Sequence, residues 1–205
     1  MPGAPAISTV TLTTSDDQSL TADVALAADS PGALVLCHPH PLYGGTRHDA
    51  VVGAVWDAAL AAGLSAVRFD FRRAHDQGEA EKLDVLAAVD QLAPRGVVLV
   101  GYSFGSYVSL RTDHSCVAGW VGIAPVLHAT DHAAGTDSRP TLLLVPRHDQ
   151  YTPPAVVLER TQSWLSTTVH ELVSADHFLG GHHQEVADRT VAFAMAVLDE
   201  PRGGA

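Results

Sequence analysis

Gly96-Val-Val-Leu-Val-Gly-Tyr-Ser-Phe-Gly105 is the stretch that decides how this chain reads. The four consecutive apolar β-formers Val97 to Val100 predict a strand buried on both faces. The last five residues have the form G-x-S-x-G, and a helical pattern follows from Phe104 towards Arg111. A serine at such a strand-to-helix turn occupies strained backbone with its oxygen above the sheet, and flanking glycines let neighbouring chain pack close. The bland reading is a Gly-rich turn with an ordinary serine. The strand before it and the helix after it favour a nucleophile at Ser103.

Working outward, short apolar runs alternate with longer helical patterns, the signature of a mostly parallel sheet covered on both faces. Val10 to Thr14 and Leu20 to Ala27 read as an opening hairpin. Further strands are expected at Ala33–Cys37, Ser65–Asp70, Gly96–Val100, Val117–Ala124, Thr141–Val145 and Thr168–Val173. Helices are expected at Val51–Ala62, Glu79–Leu92, Pro154–Leu165 and Gln184–Leu198. That makes eight strands with interspersed helices in one α/β domain over residues 1–200, followed by a mobile tail at 201–205.

Bulk composition narrows the function. A length of 205 residues, 46% hydrophobic and 17% charged, suits one globular domain. The formal charge of −11, with Lys82 as the single lysine, leaves no basic stripe for nucleic acid. Cys37 and Cys116 cannot build a disulfide framework and read as free thiols in strand-like stretches. The N-terminus lacks the pattern of a signal peptide, and no apolar run reaches the ~20 residues of a membrane span. The expectation is a soluble, cytoplasmic protein with no membrane partner.

A serine hydroxyl needs a neutral imidazole to take its proton, and that imidazole needs a carboxylate to fix its tautomer. On a parallel sheet both should follow later strands at their carboxyl ends. Thr141-Leu-Leu-Leu-Val145 is followed by Pro-Arg-His-Asp149, and Val169-His-Glu-Leu-Val173 by Ser-Ala-Asp-His177. Asp149 is therefore the expected acid and His177 the expected base. Asp176 and His148 adjoin these residues in sequence, where successive side chains diverge. His170 falls inside a strand, and His182 and His183 lie on a Gly-rich turn entering the last helix. With twelve histidines in the chain, position is what selects His177.

Negative charge developing on a carbonyl oxygen calls for aimed backbone N–H groups. Phe104, directly after the nucleophile, supplies one. The loop His38-Pro-His-Pro-Leu-Tyr-Gly-Gly45 should supply the other. Pro39 and Pro41 have no N–H, so the backbone of His40 is the only donor between His38 and Leu42. His38 and His40 could also share one side as a metal pair, but no recognisable spacing completes a zinc site. Neither metal nor cofactor is expected.

Together these segments resemble the α/β-hydrolase superfamily, and within it the small, nearly lidless serine hydrolases related to dienelactone hydrolases. The resemblance rests on His38–Gly45, Gly101–Gly105, His148-Asp-Gln-Tyr-Thr-Pro153 and Ala175-Asp-His-Phe178. It implies an α/β-hydrolase fold with minimal or no lid, triad positions at Ser103, Asp149 and His177, and oxyanion positions at His40 and Phe104. Two departures bear on substrate. Relatives carry an Arg-Gly-x-Gly-type turn where this chain has Phe71-Arg-Arg-Ala-His-Asp-Gln-Gly78, a loop expected near the site rim. Dienelactone hydrolases proper are expected to use cysteine where Ser103 stands.

The expected activity is that of a carboxylesterase cleaving a small-molecule ester through an acyl-serine. A thioesterase or amidase would use the same three residues, and a catalytically silent binding module is the alternative from another class. Residues 127–139 read as polar and too short for a helical lid, which favours small, water-soluble esters. Tyr43, Tyr151 and Phe178 are the candidates for substrate contact.

Overall fold

Alternation along two central strands divides their side chains between two cores. In β5 (Val97–Tyr102), Val98, Val100 and Tyr102 enter one apolar cluster, while Val97 and Leu99 enter the other. β3 (Ala33–Cys37) divides the same way and is buried at every residue. Each fully buried Leu or Val contributes about 1.5–3 kcal/mol of transfer free energy. Strands apolar on both faces can sit only in the middle of a covered sheet.

The computed structural model describes residues 5–73, 78–128 and 132–199. Its sheet has eight strands in the order β1-β2-β4-β3-β5-β6-β7-β8. The others are β1 (Ile7–Thr13), β2 (Ser19–Ala25), β4 (Ser65–Phe69), β6 (Val117–Ile123), β7 (Thr141–His148) and β8 (Thr167–Asp176). β1 and β2 form the antiparallel edge, and from β4 onward every pairing is parallel. Helices α1 (Ala50–Ala61) and α6 (His183–Asp199) cover one face. On the other lie α2 (Glu81–Asp90), α3 (Phe104–Ser109) and α5 (Pro154–Thr161). No described helix is long and apolar enough to cross a membrane.

Every expected strand and helix forms, with boundaries that differ by a few residues. The connection between β6 and β7 differs more. It contains a helical turn, α4 (Ala133–Thr136), with His132 and Ala134 buried. Its backbone is tied to the sheet flank by Ala134 N–H donating to Leu110 O, and the His132 ring lies 5.1 Å from that of Trp164. Apolar contact with Trp164 thus draws into the flank a segment that its composition marks as exposed. Residues 129–131 and the tail expected at 201–205 lie outside the described residues.

Parallel register brings the loops that carry the candidate residues to one edge. Cys37 pairs with Gly101, so the loop from His38 and the turn at Ser103 leave the sheet together. His148 pairs with Asp176 on the parallel strands β7 and β8. The next residues, Asp149 and His177, therefore emerge side by side. An ion-pair cluster secures the far end of the His38 loop. Arg47 N–H donates to Asp70 Oδ1 (2.8 Å), and its guanidinium reaches both Asp70 and the buried Asp23.

Candidate active site

The backbone at Ser103 has φ 53° and ψ −115°, a conformation that L-residues rarely adopt. The surrounding bonds enforce it. Ser103 N–H donates to Ile123 O (2.9 Å), while its carbonyl accepts from the N–H groups of Ser106 (2.9 Å) and Tyr107 (3.2 Å). The Ser106 hydroxyl also donates to that carbonyl, at 2.6 Å, and accepts from Val126 N–H at 3.1 Å. Glycine is required at both ends of the turn. A Cβ on Gly101 would strike the Gly105 backbone, and one on Gly105 would strike the Cys37 carbonyl and lie 2.8 Å from that of His38. This close approach seats the start of α3 against the beginning of the His38 loop.

Ser103, His177 and Asp149 meet in one hydrogen-bonded relay. Ser103 Oγ is 2.9 Å from His177 Nε2, and His177 Nδ1 is 2.8 Å from Asp149 Oδ2. A carboxylate only accepts, so Nδ1 carries the proton and Nε2 is left to accept from the serine hydroxyl. The other carboxylate oxygen, Asp149 Oδ1, accepts from Tyr151 N–H (2.8 Å) and Thr152 N–H (3.0 Å). Burial alone would raise the Asp149 pKa. The bond to His177 and the two backbone N–H groups outweigh it and hold the carboxyl below the ordinary aspartate value.

That depression has a consequence for stability. A carboxyl with a folded pKa below its unfolded one stabilises the native state above the unfolded value, and the contribution is lost as pH falls through the folded one. Thermal melts should therefore show Tm falling below about pH 4. Asp149→Asn should flatten part of that fall, and an unchanged acid limb would contradict the assignment of the depressed group.

Asp176 is exposed and outside the relay, its carboxylate accepting from Phe178 N–H (3.0 Å). His148 is exposed at the end of β7, and His170 is half-buried within β8. His182 lies 3.2 Å from Glu185 at the start of α6. None of them reaches Ser103.

Two supporting contacts were not expected from sequence. The Tyr102 hydroxyl donates to the His177 carbonyl (3.0 Å), fastening the histidine loop to the strand that leads into Ser103. Ser106 braces the turn as described. Tyr102 is a variable position of G-x-S-x-G and Ser106 lies just past it, so the motif carries no signal for either. Both partners are brought in by the tertiary fold.

The relay opens into a cleft of ≈ 780 Å³. His40 and Phe104 line it, their rings 4.6 Å apart. Phe104 is the first residue of α3, so its N–H has no intrahelical carbonyl to bond. The His40 ring is turned to its own loop, where Nδ1 accepts from Leu42 N–H (3.2 Å) at the start of a 3-10 turn over Pro41–Tyr43. Tyr43, Tyr151 and Phe178 also border the cleft and are 89%, 57% and 62% exposed, so they stand at its mouth. Tyr107, Val126 and His128 line it too and were not singled out in sequence.

The two described ends of the loop after β4 pack against rings that line the cleft. Phe71 is buried, with its ring 5.4 Å from that of Phe104, and Gly78 lies against the Tyr107 ring. Residues 74–77, the middle of the departure noted above, lie outside the described residues. Among the described residues no group of three or more His, Cys, Asp or Glu is placed to hold a metal ion.

An α/β serine hydrolase homologue from Coxiella burnetii superposes with a TM-score of 0.78 at 24% identity, over 91% of this chain and 96% of that one. A lidless α/β serine hydrolase from Xanthomonas campestris gives 0.70 at 27% identity, over 90% and 94%. The chain belongs to the α/β-hydrolase superfamily. An esterase from Pyrococcus furiosus shares the hydrolase fold at a TM-score of 0.79 and 18% identity, over 94% of this chain and 93% of that one. No family model matches this chain. An uncharacterized protein from Rickettsia prowazekii is 32% identical over 98 residues, which is 42% of this chain and 41% of that protein. The match thus spans less than half of that relative.

Proposed function

We propose that the protein is a serine hydrolase, a carboxylesterase that cleaves small, water-soluble esters through an acyl-Ser103 intermediate. The observation that carries this reading is the continuous relay from Ser103 Oγ through His177 to Asp149 at a strained strand-to-helix turn. In the first step the serine oxygen bonds to the ester carbonyl carbon as its proton passes to His177 Nε2. The carbonyl oxygen takes the negative charge and is received by the N–H groups of His40 and Phe104. The C–O bond to the alcohol then breaks, and the alcohol leaves with the proton from His177. Water, deprotonated by the same nitrogen, attacks the acyl carbon and frees the acid and Ser103.

The open mouth supports small substrates. Tyr43, Tyr151 and Phe178 offer ring surface there but remain largely exposed, so they flank a substrate and do not enclose it. The net charge of −11 disfavours strongly anionic esters.

A panel of esters, thioesters and amides of graded acyl length tests the reading. Short acyl esters should give the highest kcat/KM, with a plateau or decline at longer chains. Thioester or amide turnover exceeding that of the matched ester would replace the leaving-group assignment. A rate that climbs steadily to long acyl chains would contradict the open site.

A further inference from the structure

The His38 imidazole is buried at 1% exposure, within the loop assigned to oxyanion binding, and the reaction as written does not use it. Its two ring nitrogens have different partners. Phe71 N–H donates to Nε2 at 3.0 Å, so Nε2 must be bare. The proton of the neutral ring is then on Nδ1, which lies 2.5 Å from the Pro39 carbonyl oxygen and donates to it. Burial pushes the His38 pKa below the ordinary histidine value, in opposition to the Pro39 carbonyl and the Asp70 and Asp49 charges. The ring is thereby kept in the neutral form that both bonds need.

The Pro39 carbonyl belongs to the same peptide unit as the His40 N–H. In a trans peptide these two groups point in opposite directions in one plane. A donor on the carbonyl therefore fixes the direction of the N–H and polarises it, since bonds in a chain strengthen one another by about 10–30%. The carbonyl is also confined from the far side, because a Cβ on Gly45 would strike it. The Phe71 ring, 5.0 Å from that of His38, packs the imidazole in place.

We propose that His38 is a positioning residue, which through its Nδ1–H bond to the Pro39 carbonyl aims and polarises the His40 N–H at the developing oxyanion. The proposal rests on the esterase reading above.

Two conservative variants separate the ring's two bonds. The amide nitrogen of His38→Asn stands where Nδ1 does and keeps the donor to Pro39. The amide oxygen of His38→Gln stands where Nε2 does and keeps only the acceptor for Phe71. On a short ester, His38→Asn should hold kcat within about threefold, whereas His38→Gln should lose about tenfold to a hundredfold, part of the loss expected for an oxyanion donor. KM should change little in either. Binding of a trifluoromethyl ketone, whose adduct with serine carries an oxyanion, should weaken in step with kcat/KM.

The reverse ranking, with Gln active and Asn impaired, would mean that only the structural bond to Phe71 matters and would overturn the proposal. The histidine 15N spectrum of the unmodified protein provides a test that needs no variant to fold. A protonated Nδ1 and bare Nε2 at His38 are expected, and the opposite tautomer would overturn the proposal. Absence of ester turnover in the unmodified protein would refute the esterase reading itself. The 15N spectrum would still decide the His38 geometry.

Discussion

Ser103→Ala should lower ester turnover on the order of 10⁵-fold or more while leaving the melting curve close to that of the unmodified protein. The size of the loss follows from the relay acting as a unit. Without the oxygen that attacks, His177 has no proton to receive, and only binding and oxyanion stabilisation remain. The small effect on stability follows from the bonds that hold the turn. Ser103 is fixed through its N–H to Ile123 and through its carbonyl to Ser106 and Tyr107, and none of these uses Oγ. Alanine has the same Cβ in the same φ 53° backbone, so it brings no new steric cost. Initial rates on a short ester, paired with thermal denaturation, check both halves. Turnover within tenfold of the unmodified enzyme would remove Ser103 from the chemistry.

Asp149→Asn should reduce kcat by about 10⁴-fold, through the tautomer and not through distance. Asp149 Oδ1 accepts two backbone N–H groups, from Tyr151 and Thr152. In the asparagine variant the oxygen must stay with those donors, since an amide NH₂ facing them would oppose N–H to N–H. The NH₂ is then left facing His177 Nδ1 and donates to it. The ring responds by moving its proton to Nε2, where it meets the serine hydroxyl and blocks proton uptake. KM should change little, because the substitution is buried behind the imidazole. Steady-state kinetics separates the two parameters. A kcat within tenfold of the unmodified enzyme would show that Asp149 does not set the tautomer.

How far the sequence discloses this architecture depends on where each segment lies in the sheet. Val97 to Val100 could be read because a central strand buried on both faces must be apolar throughout, and the turn chemistry of Gly101–Gly105 follows at once. Asp149 and His177 could be read because parallel strands deliver their next residues to a common edge.

Physical reasons also explain the shortfalls. Sequence reading stops β7 at Val145 because Pro146 cannot donate to a ladder. β7 in fact runs on to His148, beyond its last pairing with β6 at Ile123–Leu144, where only β8 lies alongside and the missing N–H costs nothing. β8 likewise continues through Ser174 and Asp176, because an edge strand tolerates polar residues that break the apolar pattern. The Tyr102 hydroxyl on the His177 carbonyl and the His38 ring between Pro39 and Phe71 join residues 75 and 33 positions apart, or fix a ring tautomer. No local periodicity encodes either.

The nucleophile assignment is tested most directly by covalent capture. Treatment with a fluorophosphonate followed by intact-mass and peptide analysis should give one adduct, carried by the peptide containing Ser103. The adduct should be absent from Ser103→Ala. Labelling at another residue, labelling that persists in Ser103→Ala, or no labelling of the folded unmodified protein would contradict the account.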